Sequence, residues 1–172
     1  MEAQGPKKHK GGYKQINKAL NISEENAMFT GDNVLGHGTA AVEQLSTWMS
    51  SLRSMESHGC VTGYPAHGEV IRNLPSKIRI ELGTKARREA QVLQALARPG
   101  SPARSAAEGR GRNKGSVTVP QLVTAMHGGE LDPEVRKMAV EPLMDEVLRK
   151  LAEDGKVAFE VKGGEKKWFS IQ

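Results

Sequence analysis

His58, Cys60 and His67 fall in one stretch, "SHGCVTGYPAHG", with His37 further off. Imidazole nitrogens and a thiolate are the donors that zinc selects. The spacing His-x-Cys-x6-His departs from the paired spacings that preorganise a tetrahedral site, so these residues read as scattered polar groups on a surface loop. No metal and no other cofactor is expected. "GDNVLGHGT" has the Gly31-x4-Gly36 spacing of a loop whose backbone amides cradle phosphate, but His37 and Gly38 stand where such a loop needs its lysine. No serine, cysteine or carboxylate sits beside an activating partner in a recognisable arrangement, so the chain is not expected to be an enzyme.

The remaining chemistry is cationic. Residues 84–116 hold eight basic and two acidic side chains, whereas residues 117–172 hold eight basic and ten acidic ones. Arg104, Arg110, Arg112 and Lys114 lie on a Gly/Ala/Ser-rich stretch opposed only by Glu108. Five cations there, counting Arg98, could follow a phosphate backbone, and guanidinium groups make bidentate phosphate contacts. Arg136 and Lys137 stand at the start of a long helical pattern, and Lys162, Lys166 and Lys167 cluster around a Gly-Gly turn. These nine residues are the expected contacts to nucleic acid.

The elements that would position them follow from periodicity and punctuation. Residues 1–12 read as a disordered basic tail carrying Lys7, Lys8 and Lys10, and residues 13–83 as a helical, loop-rich region. A short amphipathic helix is expected from Tyr13 to Asn21 and loop over 21–38. A stronger helix follows Thr39 as N-cap, with Val42, Leu45, Met49, Leu52 and Met55 at three- and four-residue steps. "EVIRNL" reads as a short helix stopped by Pro75, and Ile78, Ile80 and Leu82 alternate as in a strand. Thr84 caps a further helix that ends before Pro99-Gly100, and a flexible basic loop covers 99–116.

Pro120 suits the first turn of a helix closed by Gly128-Gly129. Asp132-Pro133 opens a longer one that should pass Pro142 as a kinked continuous helix and end at Asp154-Gly155. Its apolar stripe is Val135, Met138, Ala139, Pro142, Leu143, Val147 and Leu151. Gly163-Gly164 as a two-residue loop pairs Phe159 with Trp168 inside the core and Glu160 with Lys167 across the strands.

The order helix, loop, short strand, helix, longer helix and hairpin over residues 84–172 resembles the winged-helix fold, a helix-turn-helix variant. "QVLQALARPG", "SVTVPQLVTAM" and "VLRKLAEDGKV" carry the likeness. The resemblance implies a mainly α protein with a small β-hairpin, its C-terminal winged helix preceded by a helical N-terminal region. It implies nucleic-acid binding, DNA favoured over RNA, with affinity from the basic loop and tail. The alternative is a protein-interaction adaptor in a larger complex, docking through the winged helix and the Met49/Met55 helix. A single cysteine and no apolar run of about 18 residues fit an intracellular protein, nuclear in a eukaryote and cytoplasmic in a prokaryote.

Overall fold

The computed structural model describes residues 20–22, 25–38, 40, 42, 44–97 and 115–171. Strand β1 (Leu20–Ile22) pairs antiparallel with β2 (Ala27–Gly31), Leu20 opposite Phe29 and Ile22 opposite Ala27. Strand β3 (Thr62–Pro65) runs parallel to β2 on its other side, with Phe29 opposite Tyr64. Parallel neighbours need a crossover, and helix α1 (Leu45–Ser57) supplies it. These strands correct the end of the helix expected from Tyr13 to Asn21, whose residues 13–19 lie outside the described residues, and the loops expected over 21–38 and 57–68. Runs of three to five residues are too short for an alternating pattern to show.

Helix α1 buries Leu45, Trp48, Met49, Leu52 and Met55, so four of the five expected stripe residues are present with Trp48 added, while Val42 precedes the helix. It starts after Gln44; Thr39 lies outside the described residues. The largest correction follows. Leu74–Ala97 is one helix of 24 residues, α2, where the sequence suggested a helix, a strand and a second helix. Asn73 Oδ1 accepts from the Ser76 amide at 3.1 Å, so Pro75 stands in the first turn as a starter. Ile78 is fully buried and Ile80 is 60% exposed, which rules out a shared strand face. Thr84 lies mid-helix, where its hydroxyl donates to the Ile80 carbonyl at 2.8 Å. The buried face of α2 runs Leu74, Ile78, Glu81, Lys85, Glu89, Val92, Leu96. Three charged residues on that face hide the helical period from any hydrophobic count.

Helix α3 (Val119–His127) forms as expected, with Thr118 and Gln121 in a capping box and Gly128 at φ 74° closing it. Helix α4 (Pro133–Val135) opens on Asp132, whose carboxylate accepts from the Glu134 and Val135 amides. A π-helical segment, Arg136–Val140, leads from it into α5 (Glu141–Glu153). The wide turn absorbs the missing amide of Pro142 without breaking the run. It also shifts the phase. Val135, Met138 and Ala139 are exposed, and the buried residues of α5 include Met144, Val147, Leu148 and Leu151.

Strands β4 (Val157–Lys162) and β5 (Glu165–Ser170) pair in the expected register, with Phe159 opposite Trp168 and Lys162 opposite Glu165. Trp168 is buried, and Val117 bridges to it. Phe159 is 51% exposed rather than internal, its ring edge-on to Trp168 with Lys166 Nζ over both rings. Glu160 stands opposite Lys167 as expected, but their side chains do not form the expected ion pair: Glu160 accepts from Ser116 Oγ, and Lys167 lies 3.8 Å from Glu165.

A single buried cluster runs from Met28 and Val34 through α1 and α2 to Leu148, Leu151 and Trp168. The expected mainly α architecture with a C-terminal winged helix is therefore overturned: the chain is α/β, and α2 passes unbroken through residue 84. None of the helices described is long and apolar enough to cross a membrane.

Between α2 and α5, Lys150 Nζ lies 2.7 Å from both Glu89 and Asp154. Burial works against its charge, but its hydrogen bonds to Asp154 and Glu89 more than offset this and raise its pKa. Asp154 is also opposed by burial, yet Lys150 and Lys156 hold its pKa below the ordinary carboxylate value of 3.8. Lys150→Met leaves Glu89 buried and unpaired, and should cost about 3–5 kcal/mol in urea unfolding, most of it recovered in a Lys150→Met/Glu89→Met double variant.

The pH dependence follows from the two directions. A depressed Asp154 stabilises the fold above 3.8, and that contribution is lost as pH falls through the lower folded value. A raised Lys150 stabilises it below 10.5, and this is lost only as pH rises through the higher folded value. The Asp154–Lys150 contribution should be flat across neutral pH and decline below 3.8. Asp154→Asn, followed by thermal melts from about pH 2 to 7, should show a shallower acid limb than the parent chain.

Candidate functional site

Asp32 stands immediately after β2, and His67 two residues after β3. Their proximity comes from the parallel pairing of those strands, which brings both chain exits to one edge. His67 Nε2 lies 3.6 Å from Asp32 Oδ1, and both side chains are open to solvent, at 70% and 60% exposure.

Backbone contacts lock the two loops together. Ala66 N–H donates to the Gly31 carbonyl at 3.1 Å, and Gly36 N–H donates to the His67 carbonyl at 2.9 Å. On the Asp32 side, Asn33 N–H reaches the Thr30 carbonyl, and Thr30 Oγ1 donates to the Val34 carbonyl at 2.8 Å. Trp48 Nε1 on α1 donates to the Asn33 carbonyl at 3.0 Å, tying the turn to the core. Gly36 and Gly68 allow the approach. A Cβ on Gly36 would stand 2.1 Å from the Glu69 carbonyl oxygen, and one on Gly68 only 2.8 Å from the His37 nitrogen.

An ion pair this exposed adds at most about 1 kcal/mol to stability. The pair itself therefore does little for the fold, while the backbone mounting fixes the relative position of one carboxylate and one imidazole. Both groups are donors for divalent metals. Tetrahedral zinc with ligand bonds of about 2.0–2.2 Å would place two such donors about 3.3–3.6 Å apart. The Asp32–His67 separation of 3.6 Å is compatible with that range. Among the described residues no group of three or more His, Cys, Asp or Glu side chains is gathered.

The residues chosen from the sequence fare differently. Cys60 is buried, and His58 caps the end of α1. His67 belongs with Asp32, a partner the spacing argument missed because a long stretch of chain separates them. The usable signal was a Gly-Asp immediately after a short buried run and a Pro-Ala-His after another. Arg104, Arg110, Arg112 and Lys114 lie outside the described residues, as do Lys7, Lys8 and Lys10. Arg136 is engaged internally, 2.9 Å from Glu141 and 2.6 Å from the Pro120 carbonyl. Lys137 and Lys162 are exposed on different elements. Lys166 covers Phe159 and Trp168, and Lys167 sits by Glu165. Met49 and Met55, offered as a partner-docking face, are buried in the core.

Solved structures identify the architecture. A β-lactamase domain protein from Burkholderia ambifaria superposes on 88% of this chain and 43% of its own, with a TM-score of 0.65 at 19% identity. The chain has the fold of part of a β-lactamase-type protein. A metallo-β-lactamase family protein from Thermus thermophilus agrees, with a TM-score of 0.56 at 19% identity over 88% of this chain and 44% of its own. No family model matches the chain. Among curated proteins it is 60% identical over 164 residues to an atrochrysone carboxyl ACP thioesterase of Aspergillus fumigatus, covering 95% of this chain and 38% of that protein. It is 58% identical over 163 residues to one from Aspergillus terreus, and to a lactamase-like protein of Pestalotiopsis fici. Each of those alignments covers 95% of this chain and 50% of the relative. The chain spans half or less of the length of these relatives.

These findings overturn the winged-helix resemblance and what it implied. Relatives at 60% and 58% identity are named as ACP thioesterases, so DNA binding, the nucleic-acid partner, the adaptor role and the expectation of a non-enzyme all fall. A mixed-charge helix followed by a basic hairpin is a packing solution that more than one fold uses.

Proposed function

We propose that this chain forms part of a metal-dependent hydrolase that cleaves an acyl thioester carried on an ACP, with Asp32 and His67 as two of the metal's ligands. The observation that carries the reading is the 3.6 Å approach of Asp32 Oδ1 and His67 Nε2 on two clamped loops. Support for the substrate class comes from relatives named as ACP thioesterases at 58% and 60% identity. The remaining ligands would come from the part of the relatives' length that this chain does not span. Zinc bound there would polarise a carbonyl and lower the pKa of water to about 7. The reaction adds water to the thioester carbonyl, breaks the C–S bond, and yields a carboxylic acid and the carrier's thiol.

The chain's own contribution is to fix two donors before the metal arrives. The test is release of thiol from an acyl-ACP by the whole protein. Activity should vanish on treatment with a chelator and return with added zinc, whereas chelator-resistant hydrolysis would contradict the proposal.

A further inference from the structure

Lys77, in the first turns of α2, reaches the clamped loops from outside. Its Nζ donates to the Gly38 carbonyl at 3.0 Å and pairs with Glu81 Oε1 at 3.0 Å. Glu81 is 4% exposed, and its second carboxylate oxygen has no partner among the described residues. An ordinary i,i+4 pair on a solvated helix face contributes a few tenths of a kcal/mol and needs no buried carboxylate. Burying a carboxylate with one oxygen unsatisfied costs free energy. Lys85, on the same buried face, also attracts Glu81, so the carboxylate serves two cations, of which only Lys77 reaches the loop.

Gly38 lies two residues beyond Gly36, whose N–H holds the His67 carbonyl and whose backbone packs against Gly68 and Glu69. Gly38 itself sits at φ 60°, with nothing within 4 Å of where a Cβ would be. Lys77 supplies a fixed donor to that carbonyl, and Glu81 holds the ammonium in place from the buried side.

We infer that Lys77 and Glu81 are positioning residues: they brace the Gly36–Gly38 loop and through it the backbone that carries His67. This rests on the proposed role of the Asp32–His67 pair, but its test does not. Hydrogen exchange reads the Gly36 amide directly, with or without metal.

In Lys77→Met, Gly36 protection in the whole protein should fall about tenfold or more while amides of α5, such as Leu148 and Leu151, keep theirs. Lys77→Arg should restore it, since the guanidinium can still bridge a carboxylate and a carbonyl. Glu81→Gln should give an intermediate loss. Unchanged Gly36 protection in Lys77→Met would overturn the inference. An equal fall across Gly36 and α5 would do the same, because it would assign the pair to general stability. Zinc titration of Asp32→Ala tests the metal reading by itself, so either idea can fail alone.

Discussion

Alanine at Gly36 should separate the two loops and unseat His67. A methyl group there would overlap the Glu69 carbonyl oxygen at 2.1 Å and its nitrogen at 2.3 Å. Both are backbone atoms, so no rotamer change relieves the clash and the chain must move. Overpacking a tight contact typically costs about 1–3 kcal/mol, and a backbone–backbone clash belongs at the upper end. The movement would lengthen the Gly36 N–H to His67 carbonyl bond, now 2.9 Å, on the residue that carries the imidazole. Two readouts follow: thermal unfolding shifted down by several degrees, and zinc affinity of the whole protein reduced about 10–100-fold, as when an outer-shell partner is lost. Alanine at Gly129, where nothing lies within 4 Å of the added carbon, is the control that should change neither.

Removing either donor should give the opposite division between function and stability. Asp32→Ala and His67→Ala each delete a side chain that is mostly in solvent, and the pair they break contributes at most about 1 kcal/mol. Melting temperatures should move by no more than a few degrees. Metal affinity and thioester hydrolysis should fall by more than the roughly 100-fold that an outer-shell change costs, since a ligand itself is gone. Asp32→Asn sharpens the point: it keeps the shape and one carbonyl oxygen but loses the anionic charge that strengthens a carboxylate's hold on a divalent ion. An Asp32→Asn protein with parental zinc affinity would show that this carboxylate is not a ligand.

Much of the carboxy-terminal half is legible from residue types. Pro120 and Asp132-Pro133 announce helix starts, Gly155 a stop, and Gly163-Gly164 a hairpin whose register the structure reproduces. Helix α2 is not legible, because Glu81, Lys85 and Glu89 occupy its buried face and break the apolar period. Lys85 lies over the Trp48 ring, 5.4 Å from its centroid, so part of this charge is met by an aromatic face that no pattern count registers. Strands β2 and β3 escape notice because Ala27, Met28 and Gly63 carry little strand preference and the runs are short. Without those strands, the pairing that joins Asp32 to His67 is invisible, and His67 falls in with its sequence neighbours. A non-local pairing brings these two residues together, whereas metal motifs are recognised by local spacing.

The exposed basic residues mislead for a related reason. Arg136 and Lys166 look free in one dimension, yet one is spent on Glu141 and the Pro120 carbonyl and the other on two aromatic rings. Charge counted along a sequence does not report which cations the fold has already used.

The most direct measurement is anomalous diffraction at the zinc edge from crystals of the whole protein grown with zinc. A peak within about 2.0–2.2 Å of both an Asp32 carboxylate oxygen and His67 Nε2 is the predicted result. Zinc bound elsewhere, with Asp32 and His67 facing only each other and solvent, would contradict the account.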